Sequence, residues 1–242
     1  MRVLLRNYSI SARRSLVKNM TTSLINISGL SVGTAATVFI LHWVQNETNF
    51  DNYHPDASRI YRLTTRLSQN NWVWETTPLL LADAIKNQVP EIAMTARLNT
   101  NNWPVITENG SLYYEKHCAY VDSSWFRLFH YDFIEGNAQS FDRNPLSVIL
   151  IASVSKRYFG SKAALGKTLH IDSADYLIKG VVADAPINSS FTFNAFIPLA
   201  ALLKNAQIRQ NDEQWSNDNY LTFIKTVPGA NPLITSKKIT SV

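Results

Sequence analysis

Hydrophobic and polar positions divide the chain into three stretches of different texture. From Asn19 to Asn46 there is no Asp, Glu, Lys or Arg, and the most apolar part runs from Leu24 to Val44. Those 21 residues predict a helix of about 31 Å, which matches a hydrocarbon core of about 30 Å. His42 and Trp43 sit at its far end, where an aromatic ring prefers the membrane interface. Before the run, Leu5, Tyr8, Ala12 and Leu16 fall near one helical face, with Arg6, Arg13, Arg14 and Lys18 largely elsewhere. That spacing suits an amphipathic helix on the cytoplasmic leaflet; an irregular basic tail is the plainer reading.

After Phe50 the texture changes to short alternating runs. Arg59 to Leu67 alternates and reads as a strand. Pro78 to Val89 reads as a helix, with Thr77 as N-cap and Pro78 at its first position. Leu112 to Val121 reads as a strand, and Ser123 to Phe129 as a short helix that turns Trp125, Phe126 and Phe129 to the core. Ser147 to Ile151 has the unbroken apolar character of a strand buried on both faces, and a helix follows to Phe159. Lys167–Ile171 and Tyr176–Ala183 form a predicted strand pair, and Phe193–Pro198 and Tyr220–Val227 are further strands. Asn231 is placed to cap a helix that starts at Pro232. The class is α+β, with one core or two small ones. Because that last helix has barely begun at Val242, the chain is expected to be a truncated protein.

Charge sharpens the picture. The net charge is +5, which taken alone suggests a nucleic-acid partner. Its position removes that suggestion. Arg2, Arg6, Arg13, Arg14 and Lys18 precede the first acid, Glu47, and the remaining 18 basic residues balance the 18 acidic ones. A basic arm before an uncharged run is a topology signal that keeps the arm in the cytoplasm and sends the rest across the bilayer. A cleaved signal peptide has an apolar region of about 7–15 residues and a small-residue cleavage site. This run is longer and leaves through His-Trp-Val-Gln-Asn-Glu. Asn26, Ser28, Ser31, Thr34 and Thr37 are compatible with a buried soluble helix, but the one-sided basic flank argues for a span. Within the span, Gly29 and Gly33 form a G-x-x-x-G pair that Thr37 extends by a turn. Such a stripe admits a second helix at close range; glycine is also simply common in membrane helices.

Candidate chemistry is sparse. Gly160 to Thr168 (GSKAALGKT) resembles a phosphate-binding loop, but five residues separate its glycines where that motif has four. The expected order, helix before and strand after, is also the reverse of a phosphate loop. The histidines at 42, 54, 117, 130 and 170 have no metal-ligand spacing. His117 and Cys118 are neighbours on a predicted strand and point to opposite faces. Cys118 is the one cysteine, so there is no disulfide framework. Asp51, Asp56, Asp172, Asp175 and Asp184 read as turn and cap residues. Trp72-Val-Trp74 and Trp103-Pro104 either line a ligand groove or cover strand edges. No catalytic, cofactor-binding or metal-binding residue is assigned.

Five blocks carry a family resemblance. INISGLSVGTAATVFI and FDNYHPDASRIYRL are followed by VDSSWFRLFHYDFIEGN, NPLSVILIASVSKRYFGSKAALGKTL and YLIKGVVADAPINSSFTFNAFIPL. In this order they resemble the start of an ABC transporter permease subunit of the MacB/FtsX-like type, with a MacB-like periplasmic core domain over 50–242. The resemblance implies a basic cytoplasmic segment (1–20), a transmembrane helix (21–46), and a periplasmic domain with a porter-like subdomain and a smaller second one. It also implies a bacterial inner-membrane location, a second permease subunit (identical or different), and a separate ABC ATPase subunit that binds the ATP. The chain itself would hold no cofactor. Family substrates are peptides, lipoproteins or drugs, and coupling runs through the helices by mechanotransmission. Two other classes stand beside this reading: a single-span sensor whose exported domain binds a ligand, and a membrane-anchored enzyme, which needs polar groups converging in a cleft.

Overall fold

The computed structural model describes residues 8, 13–14, 16–67, 72–108, 110–141 and 144–242. The chain divides into two compact units, 1–50 and 51–242.

The first unit is built on helix α1 (Met20–Thr48), which has no buried residue. Its 29 residues reach about 43 Å, more than a hydrocarbon core of about 30 Å requires. Arg13, Arg14 and Lys18 are helical and exposed just before it. Arg6 and much of the expected amphipathic segment lie outside the described residues.

The second unit begins with a 3-10 turn and strands β1 (Ile60–Arg62), β2 (Thr65–Arg66), β3 (Val73–Trp74) and β4 (Thr77–Pro78), then helix α2 (Leu81–Gln88). Strands β5 (Ile92–Asn99), β6 (Val105–Glu108), β7 (Ser111–Tyr114) and β8 (Cys118–Val121) lead to the one-turn helix α3 (Trp125–Leu128). Strands β9 (Phe133–Gly136) and β10 (Ser147–Ile151) precede helix α4 (Ala152–Phe159). Next come β11 (Thr168–Ile171), β12 (Ala174–Val182) and β13 (Ala195–Pro198), then helices α5 (Leu199–Leu202) and α6 (Ala206–Asp212). Strand β14 (Asp218–Thr226) and helix α7 (Pro232–Thr240) complete it.

Twelve of these strands join in one mixed sheet, ordered β1-β14-β5-β8-β13-β10-β12-β11-β6-β7, with β4 on β14 and β9 on β12. Strands β2 and β3 form a separate pair. At the centre, β10 runs parallel to β12 and antiparallel to β13, and β13 runs parallel to β8. Side chains alternate across a strand, so each central strand feeds two cores. Val148 and Leu150 enter one with Cys118, Tyr120, Ala195 and Ile197. Ile149 enters the other with Ala119, Val121, Phe196 and the aromatic cluster of Trp125, Phe126 and Phe129. In that cluster the Trp125 ring lies tilted 4.4 Å from Phe129 and edge-on 5.7 Å from Phe223, centroid to centroid. Strand β9 reaches β12 through two glycines. A side chain on Gly136, at φ +71, would overlap the Lys179 carbonyl, and one on Gly180 would strike the Phe133 ring.

Three expectations need correction. Thr77 does not cap a helix: its hydroxyl donates to the Tyr220 carbonyl and bonds the Thr222 hydroxyl at 2.7 Å, and it belongs to strand β4. Helix α2 therefore starts at Leu81, after the chain has left the sheet. The run Leu112–Val121 is two strands, because Glu115 turns inward between them to meet Arg157, Tyr158 and Asn194. The run Arg59–Leu67 likewise splits into β1, on β14, and β2, in the separate pair. The mixed α+β class, the buried strand Ser147–Ile151 and the Asn231 cap are as expected. Asn231 accepts from the Leu233 and Ile234 amides at 3.0 and 3.3 Å.

The burial of Trp125 makes a quantitative expectation. Trp125→Ala should destabilise the fold by about 3–5 kcal/mol, whereas Trp215→Ala, on the surface, should stay within about 0.5 kcal/mol. Urea unfolding of the chain in lipid nanodiscs, followed by circular dichroism, measures both.

Candidate functional site

Three hydroxyls of the apolar helix are satisfied locally. The Thr37 hydroxyl donates to the Gly33 carbonyl at 2.8 Å, Ser28 to Ile25 at 3.0 Å, and Thr48 to Val44 at 2.9 Å. Such back-bonding lets hydroxyls sit in lipid without orphaned donors. Side chains placed on Gly29 or Gly33 would meet nothing within 4 Å, so this helix face is open along the predicted stripe.

In the second unit, the chemistry-bearing residues of the sequence are held apart. Among the described residues no group of His, Cys, Asp and Glu is placed to hold a metal ion. Cys118 is buried, and burial pushes its thiol pKa far up, with the Glu115 carboxylate adding to the effect. A thiol so held is not a nucleophile. His117 is exposed beside it. His170 bonds Asp175 at 2.8 Å and His130 bonds Asp132 at 3.1 Å, both on the surface. The phosphate-loop mimic is the connection from the end of α4 to the start of β11, so its amides do not open a helix. His54 is buried beneath Tyr53 and Phe129, with ring centroids 4.1 and 5.1 Å away. Its Nδ1 accepts from the His130 amide at 3.1 Å.

One end of the sheet carries a groove of about 490 Å³, inside the range of about 300–1,000 Å³ usual for small-molecule sites. Its floor is the end of the sheet, where Tyr120 of β8 and Tyr176 of β12 are 5% and 9% exposed. One wall is the β11–β12 turn at Asp172 and Ser173; the other is the segment from Ala201 to Ile208, carrying Lys204. Asn102, Trp103 and Pro104 form the rim. Asp172 holds the rim in place: its amide donates to the Val105 carbonyl at 2.8 Å, and its Oδ1 accepts from the Val105 amide at 2.9 Å. Its φ of +54 is tolerated by an aspartate in a tight turn. Trp103 is 51% exposed and stands edge-on to Tyr114 at 6.3 Å, with the Lys116 ammonium 5.9 Å from its ring. Burial raises the pKa of both Tyr120 and Tyr176, and the Asp172 carboxylate raises both further. Neither phenol oxygen has a hydrogen-bond partner among the described residues.

The aromatic pairs seen in the sequence thus part company. Trp103 and Pro104 line the groove, while Trp72, Val73 and Trp74 are exposed on or beside strand β3, away from it. Tyr120, Tyr176 and Lys204 were missed by sequence reasoning. They are brought together by strand order and by the fold of α5, and only the inward alternation of the tyrosines hinted at their role.

The described residues thus combine one helix long and apolar enough to cross a membrane with a mixed-sheet domain after it. Residues 23–242 match the family described as the MacB-like periplasmic core domain, and the chain belongs to that family. A domain of a protein described as a permease from Porphyromonas gingivalis has a similar fold (TM-score 0.64, 20% identity, covering 78% of this chain and 81% of that one). The periplasmic region of MacB from Actinobacillus actinomycetemcomitans is also similar (TM-score 0.53, 15% identity, 75% and 79% coverage). So is the extracellular domain of the ABC-type transporter YknZ from Gram-positive bacteria (TM-score 0.53, 11% identity, 75% and 89% coverage). No curated protein matches the sequence significantly.

His54 makes a pH expectation. Desolvation lowers its pKa below the ordinary histidine value, His130 lowers it further, and Asp51 opposes both. The unfolded chain, near pKa 6.5, then binds the proton more readily than the folded one. Stability is full above about pH 6.5 and falls as pH drops toward the lowered folded value. The loss in urea midpoint between about pH 7 and about pH 5 should be smaller in His54→Asn than in the natural chain.

Proposed function

We propose that this chain is the membrane-anchored, extracytoplasmic part of an ABC-transporter permease subunit. In this reading it passes movement from ATP hydrolysis on a separate cytoplasmic subunit to an exported domain. The carrying observation is that the family match starts inside the apolar helix and runs to residue 242, taking helix and domain as one inherited unit. The segment 1–20 would be the basic cytoplasmic flank, 21–46 the span and 50–242 the exported domain. Arg6, Arg13, Arg14 and Lys18 would hold the N-terminus on the cytoplasmic side. Gly29, Gly33 and Thr37 would be the face for a neighbouring membrane helix, from this permease or from its dimer partner.

The start of the exported unit supports a mechanical role. The Asp51 amide donates to the Asn188 carbonyl at 3.0 Å, and its carboxylate accepts from the Ser190 amide at 2.8 Å. Asp56 is paired with Lys225 of β14 and with Arg59, and those two bonds, Lys225 first, hold its carboxyl below the usual carboxylate range. A displacement that reached Asp56 would be passed to the long strand β14. We assign the chain no catalytic step of its own. Its partners would be an ABC ATPase, a second permease subunit and the lipid bilayer, with no nucleic acid; the cargo would be a peptide, lipoprotein or drug.

The test is a distance measurement in the assembled transporter. Cys118 is the one cysteine of these 242 residues and is buried, so Trp215→Cys gives a specific spin-label site once exposed cysteines elsewhere in the complex are replaced. The distance between labels on the two permease subunits should shift when ATP and vanadate are added to the complex with its ATPase. An unchanged distribution would argue against mechanotransmission.

A further inference from the structure

We propose that the groove between the β11–β12 turn and the α5–α6 segment is a saccharide-binding site, taking a neutral pyranose unit or disaccharide. This inference does not depend on the transport reading.

The floor sets the first requirement. Tyr120 and Tyr176 are more than nine-tenths buried and line the groove, and neither hydroxyl has a hydrogen-bond partner among the described residues. A phenol both donates and accepts, so a ligand that displaces solvent from this floor must offer both functions in return. Sugar hydroxyls do so at each carbon. An aliphatic body does not, and would leave both phenols unpaired.

Charge sets the second requirement. Asp172 on one wall and Lys204 on the other give the lining one acceptor anion and one donor cation, and the Lys116 ammonium stands beyond them at the rim beside Trp103. An ammonium ligand is favoured by Asp172 and opposed by Lys204; a carboxylate meets the reverse. A neutral polyol donates to Asp172 and accepts from Lys204 without meeting a like charge. Asp172 Oδ1 is engaged by the Val105 amide, and Oδ2 is the oxygen left for a ligand.

The rim supplies the third. The Trp103 indole, half exposed, edge-on to Tyr114 and with the Lys116 ammonium 5.9 Å from its ring centroid, stands at the mouth of a groove that also has aliphatic lining at Leu146, Ile171 and Leu202. A pyranose ring has one face of aliphatic C–H groups and a polar perimeter. It can lie on an indole while its hydroxyls reach the floor and walls.

The experiment titrates the full chain in lipid nanodiscs, free of maltoside detergent, with maltose and with N,N′-diacetylchitobiose. Binding is followed by saturation-transfer NMR, with phenethylammonium and phenylacetate as charged aromatic controls. At least one saccharide should bind saturably in the millimolar range. Tyr120→Phe, Tyr176→Phe and Trp103→Ala should each weaken it by about fivefold or more, while the controls show no saturable binding. Circular dichroism checks folding, and the exposed Trp103→Ala keeps the test decisive if a tyrosine variant unfolds. Absence of binding by both saccharides overturns the proposal. Binding indifferent to all three variants, or a charged control binding as tightly as the sugars, overturns it equally.

Discussion

The second unit depends on four adjacent strands, β8, β13, β10 and β12, the first three buried on both faces and β12 so at its end, Gly180–Val182. A sheet covered on two sides must send apolar side chains both up and down, so its strands read as unbroken hydrophobic runs. Ser147-Val-Ile-Leu-Ile and Ala195-Phe-Ile-Pro are such runs. A one-residue slip in either would exchange the two cores, driving Phe196 into space shaped for Ala195 and Ile197. The aromatic cluster around Trp125 on one side and the aliphatic packing under α4 on the other hold that register together. The groove, the start of β14 and the ties from Asp51 and Asp56 all hang on the edges of this central block.

Legibility in the sequence follows from the same constraint. Strand Ser147–Ile151 was readable to the residue, because burial on both faces leaves no polar position to confuse its limits. So was the Asn231 cap, a local interaction between one side chain and two amides. Strand β5 was not read: Ile92–Asn99 mixes Thr95, Arg97 and Asn99 with apolar residues, and Arg97 is acceptable there because Asp122 receives it at 2.8 Å, with Asp83 and the Leu79 carbonyl also accepting from it. Those partners lie outside any local window. Thr77 failed for a similar reason. A Thr-Pro pair before an apolar run has the form of a helix start, but the Thr77 hydroxyl is captured by Thr222, far away in sequence.

The groove was half legible. Exposed tryptophans can be suspected of ligand contact from sequence, and Trp103 sits at such a place, whereas Trp72 and Trp74 do not line this groove. The tyrosine floor comes from strands β8 and β12, which are not even neighbours in the sheet, so no spacing rule joins Tyr120 to Tyr176. Likewise the apolar helix was evident from composition, while its side of insertion is carried by a few basic residues in front of it.

The most direct measurement is of sidedness. With Cys118 buried, Lys18→Cys and Ile187→Cys can be treated in turn with a membrane-impermeant maleimide on intact spheroplasts. Ile187, 97% exposed on the loop bonded to Asp51, should label at once, and position 18 only after the membrane is permeabilised. Labelling at position 18 in intact spheroplasts, with position 187 protected, would contradict the account.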